Sequence, residues 1–321
     1  MPDASNAAAA SPPPRLWPVD RLTLAFFGVC LSATAATGGR VERAGAWIAL
    51  DLAALLGIAV LYAVGPRISP RAQALWRLLH GCVFVPTVFT QVGFLIKALR
   101  GADYAVRLAA IDRRLFGGRD PLEALEAIAT PWLTEAMQWA YTSYLLMPAA
   151  AVILIAVKAP PAATSRAAFS LLGVMYLSYV GYWIVPAGGP NLHNNFGPLL
   201  DVSAAYPYPV HRDLYTFRTD LPGTWLADEL RLWMFRAELT KQDCFPSGHA
   251  AVAVTCWGVA RRLGRVYGLW FAPFALGVVL STVYLRYHYV IDVIAGVLLA
   301  AYCLGPFLRL HDRWARAATA A

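Results

Sequence analysis

The chain has 321 residues, of which 59% are hydrophobic and only 14% charged, with a mean hydropathy of +0.51. A soluble domain carries roughly a quarter charged residues, so a water-soluble surface is excluded and the apolar excess must face lipid. A net charge of +8 would point to nucleic acid in a soluble protein. In a membrane chain it reflects Lys and Arg at cytoplasmic helix ends beside anionic lipid, and no nucleic-acid partner is expected.

Residues 1–20, rich in Ala, Pro and Ser, cannot bury a core and read as a disordered N-terminal tail. The stretch from Leu22 to Ala36, after Arg15 and Arg21, has the look of a signal peptide ending in small residues. Because further apolar segments follow at once, a short first transmembrane helix is the preferred reading. The expected spans, each near the ~20 residues a bilayer needs, are 22–37, 45–64, 75–97, 132–157, 167–186, 248–262, 267–285 and 289–308. The expected fold is therefore all-α, a polytopic transmembrane helical bundle of about eight spans, since a helix satisfies its own backbone in lipid. Residues 21–310 form its single domain, and 311–321 a cytoplasmic tail.

Two regions do not span. Residues 98–131 mix Arg107, Asp112, Arg113, Arg114 and Asp120 with Leu115, Phe116 and Leu125, a pattern for an interfacial, partly helical segment broken at Gly117-Gly118 and Pro121. Residues 187–246 form a long polar loop. Arg67 and Arg71, Lys158 and Arg166, Arg261, Arg262 and Arg265, and Arg309, Arg313 and Arg316 fall on one side of an eight-span bundle, which the positive-inside rule makes cytoplasmic. The cysteines Cys30, Cys82, Cys244, Cys256 and Cys303 have no CxxC spacing, and all but Cys244 lie in apolar runs. They read as small core residues rather than disulfides or metal ligands.

Two constellations carry chemistry. Pro246-Ser247-Gly248-His249 opens a helix; Pro suits a first turn, and Ser and Gly leave N–H groups at a positive helix end where an anion binds. Tyr287-His288-Tyr289-Val290-Ile291-Asp292 sets an imidazole and a carboxylate at i and i+4, on one helix face. A carboxylate holding one imidazole nitrogen leaves the other free to attack. Taken singly, each also fits a plain helix start or a buried ion pair. Two membrane-length helices run out from His249 and back to His288, and so return both histidines to one face. The end of the 167–186 span, at Pro186–Pro190, reaches that face too, away from the Arg-rich turn. Ionisable groups at membrane depth are functional by default.

These motifs resemble the second and third signatures of the type 2 phosphatidic acid phosphatase superfamily, which includes lipid phosphatases, lipid phosphotransferases and vanadium haloperoxidases. The likeness covers about 167–308 and implies a six-helix core. Leu115-Phe116-Gly117 with Asp120-Pro121, and Gly181-Tyr182 with Pro186 and Pro190, look like the inositol phosphorylceramide synthase branch. The resemblance implies that His288 is the nucleophile, forming a phosphohistidine, with Asp292 orienting it and His249 as general acid. It also implies that N–H groups at Ser247 and Gly248 hold phosphate oxygens, and that no metal or cofactor takes part. The first signature, Lys-x6-Arg-Pro, is absent: Tyr182 and Gly189 stand where Lys and Arg would be, and Thr282 replaces the Arg of the third signature. Arg286 and Lys241 are the nearest cations to compensate.

The expected activity is phosphoryl or phospho-headgroup transfer from a lipid phosphate to an alcohol such as ceramide or diacylglycerol. Hydrolysis of the same intermediate by a phosphatase is the alternative, and a non-catalytic transporter or lipid-binding protein is the rival of another class. The expected place is a bacterial inner membrane, with the site on the periplasmic face. His193 is a candidate headgroup contact. His80, His211 and His311 read as interfacial or solvated, and Asp51 as a polar contact between helices.

Overall fold

The computed structural model describes residues 16–37, 39–99, 103–193, 221–223, 227–231, 233 and 241–320. The expected tail over 1–20 and the 187–246 loop fall largely outside them, as do His211 and the side chain of His193. The helices are α1 (Pro18–Ala36), α2 (Ala44–Val64), α3 (Pro70–Leu99), α4 (Ala105–Leu115), α5 (Pro121–Ala124), α6 (Pro131–Thr142), α7 (Met147–Lys158), α8 (Pro161–Ile184), α9 (Gly248–Leu263), α10 (Arg265–Tyr284), α11 (Val290–Leu304) and α12 (Pro306–Ala320). No strand occurs among the described residues, only an isolated bridge between Ala187 and Asp243.

Six of these segments are long and apolar enough to cross a membrane: α1, α2, α3, α8, α10 and the α11–α12 run. The span expected over 132–157 is instead α6 and α7, bent by 43° across the 3-10 turn Ser143–Leu145. Pro148 accounts for the break, because its ring excludes the carbonyl one turn earlier and it has no N–H to donate. The pair is a seventh crossing if it spans as a unit. The segment expected over 248–262 is a helix, but its 16 residues reach only about 24 Å, short of a hydrocarbon core of about 30 Å.

Helix α8 is the hub, packed on α1, α3, α9, α11 and α12. Its run from Ala167 to Val174 is wholly buried, as befits a helix without a polar stripe there. Asp20 at the start of α1 meets Arg77 of α3 at 2.8 Å, both buried. Asp51 of α2 accepts from Gln91 of α3 at 2.8 Å, the polar contact between helices that its place in an apolar run implies. His80 is half-buried and bonds the Ala54 carbonyl at 3.0 Å, while His311 is buried against Ser165. Neither is solvated: both are partners between helices.

The basic ends gather as the loop charges suggest. Arg71 donates to the Ala156 carbonyl at 2.8 Å, Arg166 pairs with Asp312, and Arg262 reaches the Leu304 carbonyl. The ends of α10 and α8 and the starts of α9 and α11 lie at the opposite end of the bundle. There α9 presses on α11, because a Cβ on Gly296 would stand 2.4 Å from the Ser247 carbonyl oxygen. Gly296→Val is expected to lose about 1–3 kcal/mol by overpacking and to part the two helix starts. Thermal unfolding in detergent, read beside activity, tests this; an unchanged midpoint with full activity would contradict the close approach.

Candidate active site

The turn that presents His288 is built by the end of α10. Arg286 N–H donates to the Val283 carbonyl (2.9 Å) and Tyr287 N–H to the Thr282 carbonyl (3.0 Å), the paired bonds of a Schellman cap. Such a cap needs one left-handed residue. Here it is Arg286, at φ 62°, rather than the usual glycine, at a cost of about 1–2 kcal/mol. The Asn191 N–H to the Arg286 carbonyl (2.8 Å) and Glu126 to its guanidinium (3.2 Å) hold it there. His288 follows at once, 3% exposed, in the connection before α11.

Ser247 caps α9, its hydroxyl accepting from Ala250 N–H at 3.3 Å. Its own N–H donates to the Asp292 carbonyl at 3.0 Å, so it is not a free phosphate donor, contrary to expectation. Gly248 is needed for space: a Cβ there would meet the Tyr182 hydroxyl at 2.3 Å, and one on Gly181 would meet the Pro246 ring at 2.2 Å. The Gly181-Tyr182 pair thus packs the PSGH turn into place. His249 then points across to His288.

The imidazoles meet directly, His249 Nδ1 to His288 Nε2 at 3.0 Å. His288 Nδ1 lies 3.0 Å from the Cys244 carbonyl oxygen, and that oxygen only accepts, so the proton sits on Nδ1 and the Nε2 lone pair is the free one. His249 must then donate from Nδ1, and its Nε2 accepts from the Tyr141 hydroxyl at 3.1 Å. Asp292 was expected to hold His288, but its Oδ2 is 3.6 Å from Nδ1, beyond a hydrogen bond. Instead Oδ2 takes the Cys244 thiol (2.7 Å) and the Tyr289 N–H (3.0 Å). The carboxylate therefore reaches the imidazole through Cys244, whose Sγ is 3.3 Å from Nδ1.

A cavity opens on this pair, lined by Tyr141, Lys241, Cys244, His249, Tyr287 and His288 among others. Its free volume of about 30 Å³ has room for roughly two waters, and a phosphate that is to meet His288 Nε2 has to part it from His249. Lys241 is buried at this wall. Arg286 does not line it; its guanidinium is turned to Glu126. Of the two cations expected to replace the missing Lys and Arg, the fold puts Lys241 at the cavity.

The segment read as merely interfacial is the brace of the site. Asp112 of α4 accepts from Val290 N–H (2.7 Å) and Ile291 N–H (2.9 Å), capping the helix that carries Asp292. Asp103 accepts from Gly188 N–H and from the Gln242 amide, each at 3.1 Å. Gly117 and Gly118 take positive φ where the chain turns back. Leu115 and Phe116 stay exposed at the surface.

Residues 106–305, more than half of the chain, match the sequence model of the PAP2 superfamily. The chain belongs to the PAP2 superfamily. No curated protein and no solved structure matches it. Membership supports an enzyme, a phosphatase or phosphotransferase acting on lipid phosphates, and the apolar helices make it an integral membrane protein. The matched region leaves out α1–α3 and takes in Asp112 of the brace, the α6–α7 pair, and His249 and His288 of this PAP2 chain.

Sequence reading alone missed Tyr141, Cys244 and Asp112. Only Cys244 carried a signal, as the one cysteine outside an apolar run. Burial pushes the His288 imidazole down to about 4, against the pull of the Cys244 carbonyl. The neutral imidazole is thus kept above about pH 4 and lost as pH falls through that value. The acid limb of kcat/KM in this PAP2 enzyme should therefore sit near 4; a limb near 6.5, the value of an unperturbed histidine, would contradict the burial.

Proposed function

We propose that the chain transfers a phosphoryl group, or a phosphate bearing a headgroup, from a lipid phosphate through a phosphohistidine on His288. The observation that carries this is the 3.0 Å contact between His249 Nδ1 and His288 Nε2, with every proton along the line directed so that Nε2 offers a lone pair. A phosphate entering between the rings meets a nucleophile on one side and an N–H donor on the other. The Nε2 lone pair forms the P–N bond as the P–O bond to the leaving alcohol breaks. His249, protonated beside the anionic phosphate, gives that oxygen the Nδ1 proton. Tyr141 accommodates both states of His249, because a phenol accepts as readily as it donates. Nδ1–H of His288 stays on the Cys244 carbonyl, and Lys241 offsets the charge spread over the equatorial oxygens. In the second step an acceptor hydroxyl attacks phosphorus, P–N breaks and the hydroxyl proton passes to His249.

The acceptor is proposed to be an alcohol such as ceramide or diacylglycerol, on the likeness of the Gly181-Tyr182 and Leu115-Phe116-Gly117 stretches to the inositol phosphorylceramide synthase branch. Water is the second reading, favoured by a cavity with room for it. The site lies away from the basic helix ends, which supports a periplasmic face in a bacterial inner membrane. The test supplies purified protein in detergent with labelled phosphatidic acid or phosphatidylinositol, with and without each acceptor, and follows free phosphate and new phospholipid together. Acceptor-dependent product supports the transferase. Phosphate release alone makes it a phosphatase, and neither product with any lipid leaves a non-catalytic lipid-binding protein.

A further inference from the structure

Cys244 Sγ, His288 Nδ1 and Asp292 Oδ2 form a compact triangle of 3.3 Å, 2.7 Å and 3.6 Å sides. All three residues are buried, and their ligand atoms meet the spacing of a metal site. The edge of a tetrahedron with metal bonds of about 2.0–2.3 Å is roughly 3.3–3.7 Å, so two sides already fit and only the sulfur–carboxylate side has to open. The donor set, one sulfur, one imidazole nitrogen and one carboxylate oxygen, is the mixture that zinc-class cations take. A second, independent observation points to a ligand: Asp292 Oδ1 is buried with no hydrogen-bond partner among the described residues, an oxygen that a cation beside Oδ2 would satisfy. Cys244 and His288 both line the cavity, which supplies an entry path.

We propose that these three side chains bind a zinc-class divalent cation, and that its occupancy switches the enzyme off. The switching half rests on the phosphohistidine reading; the binding half does not. The metal needs a lone pair on Nδ1, so the imidazole proton moves from Nδ1 to Nε2 and the Cys244 carbonyl loses its donor. Nε2 then carries N–H instead of the lone pair that attacks phosphorus, and His249 moves its own proton to Nε2, donating to the Tyr141 hydroxyl so that its Nδ1 accepts. The Cys244 thiol gives up its proton to solvent on binding sulfur to metal, so one proton is released per cation. Neither oxidant nor reductant is needed.

The test uses the full chain in detergent, stripped with chelator, and cobalt(II) as a spectroscopic stand-in for zinc. Wild-type protein should develop thiolate-to-cobalt charge-transfer absorption at about one metal per chain. Cys244→Ser should lose the band, and Cys82→Ser, which changes an exposed cysteine, should keep it. Added zinc should abolish the band and inhibit lipid-phosphate turnover over the same concentration range. The zinc needed to inhibit any residual turnover of Cys244→Ser should rise at least about tenfold, as loss of one ligand implies. If Cys244→Ser fails to fold, as its elution and unfolding profile would reveal, Asp292→Asn takes its place, with a weakened band expected. No band in active wild type sinks this proposal and leaves the phosphohistidine reading standing. A band in protein inactive on every lipid does the reverse, and a band that survives Cys244→Ser overturns the site.

Discussion

Replacing His288 with alanine should lower lipid-phosphate turnover by about 10⁴-fold or more, since removing a covalent nucleophile costs on that scale. The other imidazole that lines the cavity, His249, is engaged by its Nδ1–H to His288 and by Nε2 to Tyr141. Wild type quenched during turnover should carry label that is lost in acid and survives base, as a phosphoramidate does. His288→Ala should carry none. The variant removes a side chain at the cavity wall without touching the Schellman cap, which is made of backbone bonds at Thr282 and Val283. Its helical content and unfolding midpoint should stay close to wild type. Wild-type rates in the variant, or label retained by it, would falsify the assignment.

Replacing His249 with alanine has a smaller effect that depends on the leaving group. Loss of a general acid costs about 10²–10⁴, but only where the departing oxygen needs a proton. With a lipid phosphate, whose leaving group is a poor aliphatic alkoxide, His249→Ala should show the whole loss. With an aryl phosphate carrying a nitrophenyl leaving group, most of the loss should vanish, while His288→Ala stays inactive on both. A uniform loss on both substrates would instead mean that His249 only shapes the pocket or steadies His288. The contact at 3.0 Å makes such a positioning role physically open, and the leaving-group comparison separates the two.

Much of the membrane architecture was legible because hydropathy is a local property. Segments such as Ala44–Val64 and Arg265–Tyr284 stand within a few residues of their expected limits. The break between α6 and α7 was harder to place, because Pro148 sits inside an unbroken apolar run and composition alone does not register a bend. His249, His288 and Asp292 could be found from spacing, since Pro-Ser-Gly-His is a helix start with an anion-binding end and His-x3-Asp is one helix face. The return of both histidines to one end follows from counting helices out and back.

Only the tertiary structure decided what touches what among them. Asp292 sits one turn from His288 in sequence, yet its carboxylate caps Tyr289 and takes the Cys244 thiol, so the imidazole is held by a carbonyl from a different loop. Tyr141 is 108 positions from His249, and Asp112 is 178 from Val290; contacts at such separations leave no periodic trace in sequence. The same holds for the cations: Arg286 is turned to Glu126 while Lys241 lines the cavity, and neither placement shows in the spacing of residue types. Residue types and local periodicity thus determined the membrane bundle and the reactive groups. The direction of each proton, and the cavity that the proton line serves, came from a backbone carbonyl at Cys244 and a hydroxyl at Tyr141 that the fold brings in from distant positions and no local pattern can locate.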